Sequence, residues 1–188
     1  IKTLPGVTST SDLNVRPFVR GGNEDETRVF WNYIPLIQPY HVLSAYSIFN
    51  METTNNLRFY AGGFPVEGNG SLSGAIFMES KPAPLDSLEA VVDVSLLRGN
   101  VYMGAPIIKD KFGVYFSYQA FIYDWALKRI ADGAVLLFGD EKAKNDVEQY
   151  KKYVELPNFK DLEFGFNYQF SNNTHIEYTA LYANDIYV

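Results

Sequence analysis

Asp161-Leu162-Glu163-Phe164-Gly165-Phe166-Asn167-Tyr168-Gln169-Phe170 alternates without a fault. Leu162, Phe164, Phe166, Tyr168 and Phe170 share one face of an extended chain. Asp161, Glu163, Gly165, Asn167 and Gln169 share the other. A period of two is the signature of a β-strand with unlike sides. Its length is the second signal. Globular strands are usually 5–6 residues long, whereas a tilted strand crossing a bilayer needs about 9–11.

The pattern recurs on both sides. Leu88, Ala90, Val92, Val94 and Leu96 form one face, opposed by Glu89, Asp93 and Ser95. Phe112, Val114, Phe116, Tyr118, Ala120 and Ile122 face away from Gly113, Tyr115, Ser117 and Gln119. Ile176, Tyr178, Ala180 and Tyr182 repeat it. We read about five long antiparallel strands. A soluble sandwich shows the same alternation, because one face of its sheet is solvated. Strand length favours the membrane. So does the aromatic content, 14 Tyr and 14 Phe in 188 residues, since membrane barrels carry aromatic girdles.

Turn placement supports one handed-over direction. Ile108-Lys109-Asp110-Lys111 and Ser171-Asn172-Asn173-Thr174 are short, polar and two strands apart, so they fall at one end of the sheet. Trp125 to Lys160 is a long charged loop at the other end, joined there by Arg98-Gly99-Asn100. Val147, Tyr150 and Val154 are spaced to allow a short helix over 143–156.

Before Lys81-Pro82-Ala83-Pro84 the texture differs. Two prolines in three residues do not continue a sheet, and the domain boundary is set there: 1–82 and 83–188. Residues Asn14 to Arg20, Thr27 to Ile34, Leu57 to Tyr60 and Ala75 to Glu79 read as short strands, the second stopped by Pro35. Gln38 to Asn50, with Val42 and Leu43, is helical in period or a packed loop. Ala61 to Lys81 holds Gly62, Gly63, Gly68, Gly70 and Gly74 within thirteen residues. That density serves either backbone binding of a ligand or tight folding against another surface.

Composition removes other classes. The net charge is −6, which opposes binding to nucleic acid, where affinity comes mainly from neutralised phosphates. With no cysteine there is no disulfide framework, thiolate zinc site or Cys nucleophile. No apolar run exceeds Ala134 to Phe138, far below the roughly 20 residues of a spanning helix. The two histidines, His41 and His175, stand apart from any metal-ligand spacing. Gly68-x-Gly70-x-x-x-Gly74 is neither a dinucleotide fingerprint nor a P-loop, and no G-x-S-x-G elbow exists. Glu141 to Glu148, mixed with lysines, reads as a solvated loop rather than a calcium site. We expect no enzyme, metal or cofactor. The start at Ile1, without a signal peptide, reads as a mature or truncated piece.

Taken in order, the motifs resemble the plug domain and first barrel strands of TonB-dependent outer-membrane receptors. Leu4-Pro5-Gly6-Val7 is similar to that family's "LPGV", and Val19-Arg20-Gly21-Gly22 to its "IRG". Val29 to Leu36 sits where the family runs into "DGxP". Tyr60 to Lys81 resembles its closing "Y-x-G-G-F-P…S-G-x-I-x-x-x-S-K". The chain departs from the pattern at Asn32-Tyr33, which replaces the "DG" turn. It departs again at Asn56-Leu57-Arg58, where an acidic residue of the plug-to-wall ion pairs is missing.

The resemblance implies a mainly β protein: a small mixed α/β plug, then long antiparallel strands of an incomplete transmembrane β-barrel. The family barrel has 22 strands around a plugged lumen. Five cannot close, so the rest comes from the same or another chain. It implies residence in the bacterial outer membrane, contact with outer-membrane lipid, and gated uptake of a scarce nutrient. The energy source would be a TonB-type complex, whose binding segment is absent from this sequence. The alternative is a plug-like binding or structural module that pairs with another outer-membrane protein and transports nothing.

By resemblance the plug apices are Pro35 to Asn50 and Phe64 to Asn69. Tyr40, His41 and Tyr46 there offer stacking surfaces for a ligand, or else pack the plug on the wall. Arg20 would be an ion-pair partner inside the lumen. Gly21, Gly22 and the five later glycines would form the plug's structural motif.

Overall fold

The structure, a computed structural model, describes residues 3–9, 14–41, 44–95, 97–139, 141–153 and 158–186. The fold is mainly β, with two α-helices among the described residues. In chain order come β1 (Val7–Thr8), β2 (Phe18–Val19), β3 (Thr27–Trp31), β4 (Ile34–Leu36), β5 (Tyr40–His41), β6 (Tyr46–Ser47), β7 (Thr54–Tyr60) and β8 (Gly74–Ser80). After a strand-free connection follow β9 (Glu89–Val94), β10 (Arg98–Ile108) and β11 (Phe112–Phe121). Helices α1 (Tyr123–Phe138) and α2 (Glu141–Tyr153) precede β12 (Asn158–Ser171) and β13 (Thr174–Ile186).

The first half is built on a four-stranded sheet in the order β4-β3-β8-β7. Its centre is the parallel pair β3 and β8, with Val29 opposite Ile76 and Phe30 opposite Phe77. Parallel strands covered on both faces read as continuous apolar runs, and these two do so over residues 29–31 and 75–78. Val29, Trp31, Ile76 and Met78 pack on one face with Ile48 and Phe49. Phe30, Ala75 and Phe77 pack on the other, against Tyr60 and Phe64. The Phe30 and Phe77 rings stack at 4.6 Å.

Several local expectations are corrected here. Of the strand expected over Asn14 to Arg20 only Phe18–Val19 pairs. Pro17 has no N–H to give a ladder, and the Arg16 N–H is turned onto the Asn14 side chain at 2.9 Å. Pro35 does not stop β3. The chain reverses at Asn32-Tyr33 and Pro35 lies in β4, an edge strand where a missing donor does no harm. Asn32 and Tyr33 both have positive φ, 46° and 67°, so this tight turn forms without glycine. Residues 38–50 hold the short hairpin β5–β6 and no helix among those described; Val42 and Leu43 lie outside the described residues.

The second half is one antiparallel meander, β9-β10-β11-β12-β13. β10 fills the span between the turns expected at 98–100 and 108–111, where no alternation marks it, and Arg98-Gly99-Asn100 belongs to its ladder rather than to a loop. The Ser95 N–H donates to Arg98 O at 2.8 Å between β9 and β10; Leu96 lies outside the described residues. The long charged segment is largely helical, in two helices rather than one short one, and residues 154–157 lie outside the description. No described helix is long and apolar enough to cross a membrane, which bears only on helices.

The faces of this meander are inverted relative to a soluble sheet. Asn100, Ser117, Gln119, Asp161, Glu163 and Asn167 are buried. Val92, Val94, Met103, Phe116, Leu162, Phe164, Phe170, Ile176, Tyr178 and Tyr182 are exposed. Burying one such side chain is worth about 1.5–3 kcal/mol. Ten left wholly in water would forgo about 15–30 kcal/mol, more than a domain's usual net stability of about 5–15 kcal/mol.

The two halves are joined at defined ends. Residues 81–84 dock on the polar face near the short turns: Ala83 packs with Tyr102 and Tyr115, and the Asp110 N–H donates to Leu85 O at 2.7 Å. Gly113 is required there, since a Cβ on it would stand 2.0 Å from Pro84 O. The β5–β6 hairpin sits at the opposite, helical end, where Tyr46 meets Phe121 and Phe159.

Candidate functional site: the polar seam between the two halves

The buried polar face of the meander has partners, and they come from the first half of the chain. Asn50 is the centre of the seam. Its amide nitrogen donates to Asn100 Oδ1 at 2.7 Å and to Ser117 Oγ at 2.5 Å. Its oxygen accepts from Asn100 Nδ2 at 3.1 Å. The same oxygen takes the Glu52 N–H at 3.0 Å and caps the short 3-10 turn Met51–Thr53. One side chain thus ends a local element and bridges two strands of the meander.

One turn on, the Thr53 hydroxyl donates to Glu163 Oε2 at 2.5 Å, and the Tyr115 hydroxyl donates to Glu163 Oε1 at 2.7 Å. Asn32, held by the reversal between β3 and β4, donates to Thr179 Oγ1 on β13 and to Ser80 Oγ, each at 2.8 Å. Lys81 reaches Glu89 on β9 and lies over the Tyr102 ring. The resemblance put plug-to-wall ion pairs in question at Asn56-Leu57-Arg58. Arg58 pairs within its own half, with Glu79 at 2.6 Å, and stands 5.4 Å over the Phe77 ring. Burial, the largest influence on Glu79, raises its pKa. Hydrogen bonds from Asn56, Tyr33 and Arg58, with the charge of Arg58, outweigh it and hold the carboxyl below its ordinary value.

His41 occupies the helical end of the seam and is 1% exposed. Its ring stacks on Phe159 at 4.3 Å. Nε2 lies 2.8 Å from Asp161 Oδ2 and Nδ1 lies 2.9 Å from Asp185 Oδ1. Asp161 Oδ2 also accepts from Gln119 Nε2 at 2.6 Å, which donates in addition to Ile48 O. Burial, the strongest influence, favours the neutral ring, but the two carboxylates together outweigh it and raise the His41 pKa above 6.5. Acceptors are in excess here. Asp161 Oδ1 and Gln119 Oε1 have no donor among the described residues.

The sequence candidates fall in different places. Tyr40, His41 and Tyr46 lie on one hairpin but not on one surface. Tyr46 is half-buried against Phe121 and Phe159. Tyr40 is half-buried beneath the Arg16 guanidinium, 5.4 Å from its ring, and burial pushes its phenol up to about 12. Tyr40 borders a cleft of about 480 Å³ with Arg16, Glu24, Arg28 and Gln38. Another cleft of about 450 Å³ lies at the seam, between Asn32, Lys81, Tyr115 and Thr179.

Arg20 is exposed, with φ 50°. It forms no ion pair among the described residues, and its guanidinium lies beside Gly62, 3.2 Å from where a Cβ would stand. Gly21, Gly62, Gly63 and Gly70 have positive φ, while Gly22, Gly68 and Gly74 are closed in by neighbours. At Gly68 a Cβ would meet Phe64 at 3.1 Å and Phe77 at 3.4 Å. The glycine-rich stretch therefore folds onto its own sheet. No group of three His, Cys, Asp or Glu among the described residues is placed to hold a metal ion.

Sequence reasoning missed Asn32, Asn50 and Thr53, which carry no pattern of their own. It did place Ser117, Gln119, Asp161, Glu163 and Asn167 on one face, without saying that this face is buried.

No family model and no curated protein matches the chain. Among solved structures, the siderophore receptor PirA from Pseudomonas aeruginosa superposes with a TM-score of 0.56, at 15% identity, over 98% of this chain and 31% of its own. PirA from Acinetobacter baumannii gives 0.55 at 12% identity, over 98% and 28%. A mutant of the ferric enterobactin receptor PfeA from Pseudomonas aeruginosa gives 0.53 at 14%, over 99% and 30%. The chain thus spans under a third of the length of these receptors, and shares with that part of them its fold.

Proposed function

We propose that the chain is the plug and first five wall strands of a TonB-dependent outer-membrane transporter, taking up a scarce nutrient through a plugged barrel. Residues 1–82 form the plug and 83–188 begin the wall. The single observation that carries this reading is the inverted meander. Its apolar face is exposed and its polar face is closed over a small domain, the arrangement expected of a wall with lipid outside and a filled lumen inside. Aromatic side chains gathered by the short turns add to it. Phe112, Phe166, Tyr168, Phe170 and Tyr178 touch in series, as an interfacial girdle does. The likeness to receptors of known structure, none of them an enzyme, points the same way.

In this reading the helical end faces outward, and the short turns face the periplasm and the TonB-type complex. The nutrient class to test first is a siderophore, which the two PirA receptors are named for. Tyr40 is the candidate ligand contact, because it borders an open cleft, whereas His41 and Tyr46 hold the hairpin against the wall.

The complete reading frame, expressed in an iron-starved Gram-negative host, tests this. Outer-membrane localisation and siderophore-dependent growth that vanishes when TonB is deleted would support it. Localisation without TonB-dependent uptake of any nutrient would favour a non-transporting module paired with another outer-membrane protein.

A further inference from the structure

Neither ring nitrogen of His41 is free. Nε2 faces Asp161 on β12 and Nδ1 faces Asp185 on β13, at 2.8 and 2.9 Å. A neutral imidazole has one N–H and one lone pair. Between two carboxylates, its lone pair would confront an oxygen that has only lone pairs. The cation has two N–H donors and satisfies both sides. We propose that His41 is a protonation-controlled latch: as an imidazolium it clamps the β5–β6 hairpin to β12 and β13, and loss of its proton releases that clamp while Asn50 and Thr53 keep the rest of the seam closed.

The groups facing His41 are placed for this. From β12 come Asp161 and the flat Phe159 ring. Asp185 comes from β13. The neutral Gln119 of β11 ties Asp161 to Ile48 O. Tyr46 pairs with His41 across the hairpin. Its phenol is pushed up first by burial, with the Arg98 charge of β10 opposing, so it stays neutral where His41 titrates. The sign follows. A raised histidine pKa contributes stability that is fully present below the ordinary 6.5 and is lost as pH climbs through the raised value. Asp185 is the more accessible carboxylate, with its side chain 19% exposed against 3% for Asp161, so it is the route by which the proton leaves. The latch depends on contacts between the two halves and stands whether or not the protein transports anything.

Hydrogen exchange of the full-length protein in detergent, followed by mass spectrometry from pH 5 to 9, tests it. Rates are corrected for intrinsic base catalysis, and residues 38–50 are compared with β8. In the wild type, corrected exchange of 38–50 should rise about tenfold for each pH unit by which the His41 pKa stands above the unfolded value, while β8 stays flat. His41→Gln should flatten the profile. Asp185→Asn keeps an acceptor but removes a charge, so the midpoint should move to lower pH. If His41→Gln does not assemble, the Asp185→Asn midpoint decides alone. A flat wild-type profile, or a midpoint unmoved by Asp185→Asn, overturns the latch.

Discussion

β8 and β12 are both central, well-paired strands, and they are built on opposite rules. β8 runs Gly74-Ala75-Ile76-Phe77-Met78 and is buried on both faces, residue after residue. β12 alternates, and its buried face carries Asp161, Glu163 and Asn167, with Phe159 at the helical end. In β8 the hydrophobic effect does the usual thing and takes apolar surface out of water. In β12 it cannot be acting against water on the apolar side, because that side is the exposed one. The polar side is closed by hydrogen bonds, each of modest net worth but costly to leave unmade. The difference teaches that the two halves are built on different rules: an apolar core between two faces in one case, and in the other a polar face closed by hydrogen bonds with the apolar face left outside, which is what the proposed wall would require.

The comparison can be broken from either side. Phe77→Ala removes a stacked ring from the core of the first half, and we expect a loss of about 3–5 kcal/mol, read from denaturant midpoints. Phe164→Arg places a charge on the exposed apolar face. If lipid covers that face it costs about 2–4 kcal/mol and blocks membrane assembly, read from heat-modifiable migration; if water covers it, the effect is near zero. Asn50→Leu leaves the Asn100 and Ser117 groups buried without their partner, for about 1–3 kcal/mol, visible as faster exchange in residues 48–54. Arg58→Ala removes a half-exposed ion pair with Glu79, and we expect the smallest loss of stability of the four, read from the same denaturant midpoints. Its pH dependence has the sign opposite to His41. Glu79 is held low, so its contribution is present above the ordinary 4.5 and is lost as pH falls through the depressed value. Unfolding followed between pH 3 and 9 would separate an acid-labile first half from an alkali-labile seam.

How much of this was legible follows from where the signals lie. The long strands β11, β12 and β13 are written in strict alternation and could be read residue by residue. β10 could not, because Gly99, Asn100, Gly104 and Pro106 interrupt its pattern, and only the partners on either side hold it extended. The two helices filled a segment whose charge read as a loop. At the Asn32-Tyr33 reversal the backbone accepts positive φ without glycine because Asn32 is held by Ser80, whose N–H donates to its side chain at 2.9 Å. The seam was half legible. Its wall side is the polar face of an alternating strand, while its other side is a set of isolated polar residues in short segments. His41 meets Asp161 and Asp185 across 120 and 144 residues, a separation at which no local pattern carries information.

The sequence by itself determined which residues share a face, because a pleated chain sends successive side chains to opposite sides whatever surrounds it. It also determined that glycines crowd residues 62–74. Only the tertiary structure decided which face is inside, since alternation is the same read from either side. It decided too that the glycine-rich stretch folds onto Phe77 and Ala75 of its own sheet, and that His41 sits between two carboxylates. Those outcomes depend on strand register and on contacts between distant parts of the chain, and such contacts exist only once the whole chain has closed on itself.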